Sequence, residues 1–138
     1  MKIKCIIQGP IHTNSYIISN HDQCILIDPE GEVDSFLAYF EKKQVTPIAI
    51  LLTHGHFDHI GAVESLKNLY DLPVYASAKE VELLNEPTLN LSTHVGKKIT
   101  VPVDHPLQDL DTLTLAGLPI IAWETPGHTA GSMCYLIE

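Results

Sequence analysis

A chain of 138 residues is long enough for one domain with a buried core and too short for two. Hydrophobic residues at 45% and charged residues at 18% exclude a disordered polymer, and no apolar run approaches the roughly 20 residues a membrane-spanning helix needs. A net charge of −9, with Lys97-Lys98 the nearest thing to a basic cluster, excludes a nucleic-acid surface.

The amino-terminal run is basic at Lys2 and Lys4 but meets Gln8-Gly9-Pro10 with no small-residue cleavage site. It reads as a first strand over Ile3 to Gln8, and the cytoplasm is the expected compartment. Ser15 to Ser19 and Cys24 to Asp28 flank the polar loop Asn20-His21-Asp22-Gln23 and predict a hairpin. After the breaker Pro29-Glu30-Gly31, Asp34 is placed to cap a helix over Ser35 to Lys43.

Ile48-Ala49-Ile50-Leu51-Leu52 is a continuous apolar run, as expected of a strand covered on both faces. Val63, Leu66 and Leu69 predict the buried side of a helix over Gly61 to Tyr70. Pro73 to Ala76 reads as a short strand and Ala78 to Leu84 as a helix. Asn85 to Pro106 is polar and aperiodic, which predicts a long functional loop. Strands are expected again over Thr112 to Leu115, Ile120 to Glu124 and Met133 to Ile137. Strands alternating with helices indicate an α/β layered architecture. Cys5, Cys24 and Cys134 are odd in number and sit in apolar runs, so reduced core residues are expected. Trp123, on a predicted strand, is assigned to the core.

The chemistry is concentrated in Thr53-His54-Gly55-His56-Phe57-Asp58-His59, which follows the apolar strand directly. Residues two apart in an extended segment project to the same side, so His54 and His56 can converge on one ion. Asp58 and His59, where the chain turns toward a helix, can aim at a neighbouring point. Thr125-Pro126-Gly127-His128 supplies a further imidazole, and three imidazoles with one open position suit a catalytic zinc site. His12 and His94 have loop roles with a place at the substrate entrance as the alternative. His21 and His105 are expected in loops, and Ser132 in a structural role.

Together, these motifs resemble those of the metallo-β-lactamase superfamily, in its glyoxalase II-like (hydroxyacylglutathione hydrolase-like) group. Thr13 to Ile18, Leu26 to Gly31, Asn90-Leu91-Ser92 and Leu113 to Ser132 extend the resemblance along the whole chain. It implies a four-layer αββα sandwich within the α/β (α+β) class, of which residues 1–138 hold the first half and the start of the second. It also implies that His54, His56 and His128 bind a first metal and Asp58 and His59 a second. The ions would be zinc, one or two, with iron or manganese also suited to the donors. Asp58 would in addition orient or deprotonate the attacking water. Asp28 is either an acid standing behind these ligands or a plain turn residue before proline.

The implied activity is hydrolysis of a small-molecule thioester or ester. A rival within the same fold is an iron-dependent persulfide dioxygenase. Family members complete the second site with an aspartate and a later histidine beyond the third motif, and residues after His128 hold neither. The chain therefore reads as incomplete at its carboxy end. A third expectation follows, an inactive fragment that self-associates through an exposed sheet edge.

Overall fold

The central apolar run becomes the strand β4 (Thr46–Leu51), and a computed structural model describes residues 1–138 as two sheets built around it. Its side chains alternate between two cores, as a strand's period of two requires. Ile50, with Leu52 just beyond, lies among Phe36, Phe40 and Leu66, whereas Ala49 and Leu51 lie among Leu118 and Ile120.

On one side of β4 stand β3 (Gln23–Ile27), β2 (Thr13–Asn20) and β1 (Lys2–Gln8). On the other stand β5 (Val74–Ser77) and β6 (His105–Leu107), giving the order β1-β2-β3-β4-β5-β6. The first three strands are antiparallel, and β3 through β6 are parallel. Parallel neighbours need crossovers, and these are α1 (Asp34–Lys43) and α2 (Val63–Tyr70), which cover one face of the sheet with Phe36, Phe40, Val63 and Leu66. A short helix, α3 (Val81–Asn85), follows β5.

The other face packs on a three-stranded antiparallel sheet of β7 (Thr112–Leu115), β8 (Leu118–Glu124) and β9 (Met133–Ile137). Helices, sheet and sheet make three successive layers, in agreement with the expected fold class.

Several expectations are corrected. Asp34 is the first residue of α1 and makes no capping hydrogen bond; its charge still lies in the first turn, where the helix dipole favours it. Leu69 is 57% exposed. Each step of three residues falls about 60° short of a turn, which carries Leu69 off the face that Val63 and Leu66 share. Trp123 is 47% exposed because Leu118, Ile120 and Ala122 take the inward positions of β8 and leave it the opposite parity. Cys24 is buried, but Cys5 and Cys134 lie exposed on β1 and β9.

The tract from Asn85 to Pro106 is more ordered than its composition suggests. The Asn90 side chain donates to the Ile99 carbonyl (2.8 Å) and accepts from Ser92 N–H (3.0 Å), and Ser92 Oγ accepts from Ile99 N–H (3.0 Å). A 3₁₀ turn, Ser92–Val95, forms within it, and its end becomes β6, where His105 stacks on Tyr75 with centroids 4.5 Å apart. No helix is long and apolar enough to cross a membrane.

Candidate metal centre

Chain direction puts the site where it is. The carboxyl ends of β3 and β4 lie side by side because the two strands are parallel, so Asp28 meets Thr53. The Asp28 carboxylate, 4% exposed, accepts from Thr53 N–H (2.8 Å) and from the Thr53 hydroxyl (2.5 Å). Asp28 itself has φ of 49°, a left-handed conformation that Asp tolerates better than most residues. Ser15 Oγ donates to the Asp28 carbonyl and accepts from Glu30 N–H, which ties this turn to β2. Asp28 is thus bonded beyond its own turn, to Thr53 and to the His59 ring.

Thr53 also joins the two sheets, since its carbonyl accepts from Met133 N–H at 2.8 Å. The next residues leave the sheet as an extended segment and close into a 3₁₀ turn, Phe57–His59. Phe57 N–H donates to the Asn90 carbonyl, so the braced loop steadies the histidine turn. From the second sheet, Thr125 to Ser132 fold back on themselves. Ser132 Oγ accepts from Thr129 N–H (3.0 Å), a structural part as expected, and Gly127 at φ of 156° turns the chain toward His128.

His54, His56 and His128 are brought together. Their ring centroids form a nearly equilateral triangle with sides of 4.9, 4.8 and 4.7 Å. His56 Nδ1 and His128 Nε2 are 3.0 Å apart. Two nitrogens about 2.0–2.1 Å from one tetrahedral zinc stand roughly 3.3 Å apart, close to that spacing. His54 Nδ1 faces the Thr53 hydroxyl at 3.2 Å, while His54 Nε2 is buried without any partner. An orphaned buried nitrogen is costly unless something fills its lone pair. The donor set fits a metal ion.

Asp58 and His59 are adjacent to this triangle. His59 Nδ1 lies 2.9 Å from Asp28 Oδ2, which leaves Nε2 facing Asp58 Oδ2 at 3.5 Å. Thr13 Oγ1 donates to Asp58 Oδ2 at 3.5 Å. The His54 and His59 rings are 4.1 Å apart, and Asp28, His54 and His59 form a second group able to share an ion.

Electrostatics suit the same use. Burial, then the neighbouring imidazoles of His59, His56 and His128, push the His54 pKa down to about 3, so His54 is neutral near pH 7 with its lone pair free. Burial and His128 also lower His56. Burial depresses His59, but the hydrogen bond and charge of Asp28, with Asp58 and Glu30 behind it, outweigh burial and raise its pKa.

His12, His21 and His94 are exposed and are not among the residues grouped at the site. Two contributors lie outside the expected ligands, Thr53 as the junction and Glu80. The Glu80 carboxylate accepts from Gly55 N–H at 2.8 Å and from Gly131 N–H at 3.0 Å. In a parallel sheet the segment after β5 ends beside the segment after β4. An acid just beyond Ser77 was therefore the available clue.

A sandwich of this build, with histidines converging from both sheets at the strand ends, forms a candidate metal centre. Residues 8–138 match the family model of the metallo-beta-lactamase superfamily, and the chain belongs to that superfamily. It is similar to a probable metallo-hydrolase (YqgX) of Bacillus subtilis, 38% identical over 140 residues, which cover all of this chain and 66% of the relative. A hydroxyacylglutathione hydrolase of Klebsiella pneumoniae is 34% identical over 96% of this chain and 47% of its own length. Among solved structures, the BLEG-1 B3 metallo-beta-lactamase superposes with a TM-score of 0.91 at 39% identity, over 99% of this chain and 67% of the other. The chain thus spans 66% or less of the length of these two curated relatives.

Proposed function

We propose that residues 1–138 carry the metal-holding part of a hydrolase that cleaves a small thioester or a related ester. The observation that carries this reading is the histidine triangle with the unpartnered His54 Nε2 at its buried corner. His54, His56 and His128 hold a first ion, and Asp58 and His59 a second, with Asp28 fixing the His59 ring. When bound, zinc supplies a Lewis acid that acidifies water toward a pKa of about 7 and polarises a carbonyl; iron or manganese suits the same donors. Asp58, steadied by Thr13, orients the attacking water and takes its proton. A cleft beside His54 and His128, walled by Tyr16, Ile27, Thr125 and Tyr135, receives the acyl group. The thioester preference is supported by the similarity to the hydroxyacylglutathione hydrolase. The proposed setting is the cytoplasm, where exposed Cys5 and Cys134 stay as free thiols.

The test is metal content together with thiol release from an S-acylglutathione. The wild type should hold zinc, lose turnover on chelation and regain it with zinc or manganese. Turnover and metal content unaffected by His54→Ala would sink the reading.

A second proposal concerns the chain by itself. Trp123 and Leu136 are exposed on one face of the second sheet, and Ile3 and Ile7 on β1. Apolar faces of this kind invite pairing, and we infer that residues 1–138 alone associate with a second copy through them. A monodisperse monomer in sedimentation velocity would overturn this.

A further inference from the structure

Glu80 is a carboxylate at 1% exposure that none of the proposed chemical steps uses. It ends a 3₁₀ turn, Ala78–Glu80, between β5 and α3. Both of its oxygens are occupied, and by loops far apart in the chain. Oε2 accepts from Gly55 N–H, the peptide between His54 and His56, at 2.8 Å. Oε1 accepts from Gly131 N–H, three residues after His128, at 3.0 Å.

The approach is also close enough to dictate residue type. A Cβ at Gly131 would stand 2.5 Å from Glu80 Cγ and 2.7 Å from Glu80 N, and one at Gly55 would stand 2.6 Å from Leu84 Cδ2. Both histidine loops are therefore seated on the Glu80–Leu84 segment: the Glu80 backbone leaves room only for glycine at 131, and a Cβ at 55 would have to displace the Leu83 and Leu84 side chains. A charged acceptor makes stronger hydrogen bonds than a neutral one, and strands the most if its donors are removed.

We propose that Glu80 is a positioning residue that clamps the two histidine loops together and so sets the 3.0 Å spacing of His56 Nδ1 and His128 Nε2. The proposal rests on the metal-centre reading above. Through this spacing Glu80 governs how tightly the three-histidine site grips its ion, without touching the ion. Groups that orient metal ligands from behind are worth about 10–100-fold in affinity.

Glu80→Gln is the informative variant. Its amide oxygen can serve one glycine N–H, but its NH₂ then faces the other donor. Zinc affinity, measured by chelator competition, should fall about 10–100-fold while far-UV circular dichroism stays native. The absorption band of the cobalt(II)-substituted protein should shift as the ligand spacing relaxes. In metal-free protein, exchange of the Gly55 and Gly131 amides should quicken at least about tenfold against unchanged β3 and β4 amides, as loss of a local restraint predicts. Gly131→Ala pushes on the same contact from the other side and should give the same three results, which covers a Glu80→Gln chain that fails to fold. Folded variants with wild-type zinc affinity, cobalt spectrum and amide exchange would overturn the clamp. A wild-type chain with no zinc affinity would instead strike down the metal-centre reading, and the amide exchange would then decide on the clamp alone.

Discussion

Asp28 Oδ2 lies 2.9 Å from His59 Nδ1, and the same carboxylate takes both the N–H and the hydroxyl of Thr53. One buried acid therefore fixes the orientation of a candidate ligand and the exit point of the histidine loop. Asp28→Asn keeps the shape and tolerates the left-handed backbone but removes the charge that holds His59. Occupancy of the second ion should drop by about 10–100-fold in affinity, with the first less affected. Metal stoichiometry by plasma mass spectrometry across a chelator series checks this.

Metal should stabilise the fold as well as serve chemistry. At a free zinc concentration about 1,000 times the dissociation constant, mass action adds about 4 kcal/mol. The wild type should thus melt several degrees higher with zinc, and His54→Ala should show little of that gain. An equal zinc-induced shift in both proteins would count against His54 as a ligand.

Acid should weaken the metal-free protein through His54. The unfolded chain takes up this proton near pH 6.5, whereas the folded site refuses it until about pH 3. Between those values the unfolded state binds more protons, so stability falls as pH drops. In denaturant titrations from pH 7 to 4 the wild type should lose stability relative to His54→Gln, because only the wild type carries this loss.

The two leucines of α2 offer a test of the packing. Leu66 has no exposed surface and sits in the larger core, so Leu66→Ala should cost about 2–5 kcal/mol. Leu69→Ala, at an exposed site, should stay within about 0.5 kcal/mol. Urea unfolding of both variants separates them.

What could be read from the sequence was what is local. The run from Ile48 to Leu52 announced a doubly covered strand because all its side chains are apolar, and His54, His56 and His59 announced a metal by their crowding. The hairpin of β2 and β3 followed from its two runs and polar loop. The support for the site was hidden because it depends on pairing. Asp28 meets Thr53 only once β3 and β4 run parallel, and Glu80 meets Gly55 and Gly131 across 25 and 51 positions. Trp123 stands outside the core for a related reason, since hydrophobicity marks a strand but not which parity faces inward.

The histidine triangle also has a mechanical meaning. His54 and His56 leave the first sheet, His128 leaves the second, and His56 and His128 are 72 residues apart in the chain. An ion held by all three would act as a rivet, closing a long loop much as a cross-link does. In the chain-entropy picture a closure of that length is worth about 4 kcal/mol. Docking of the three-stranded sheet would then depend on metal supply, and a newly made chain starved of zinc would hold its helical layer firmly and its second sheet loosely.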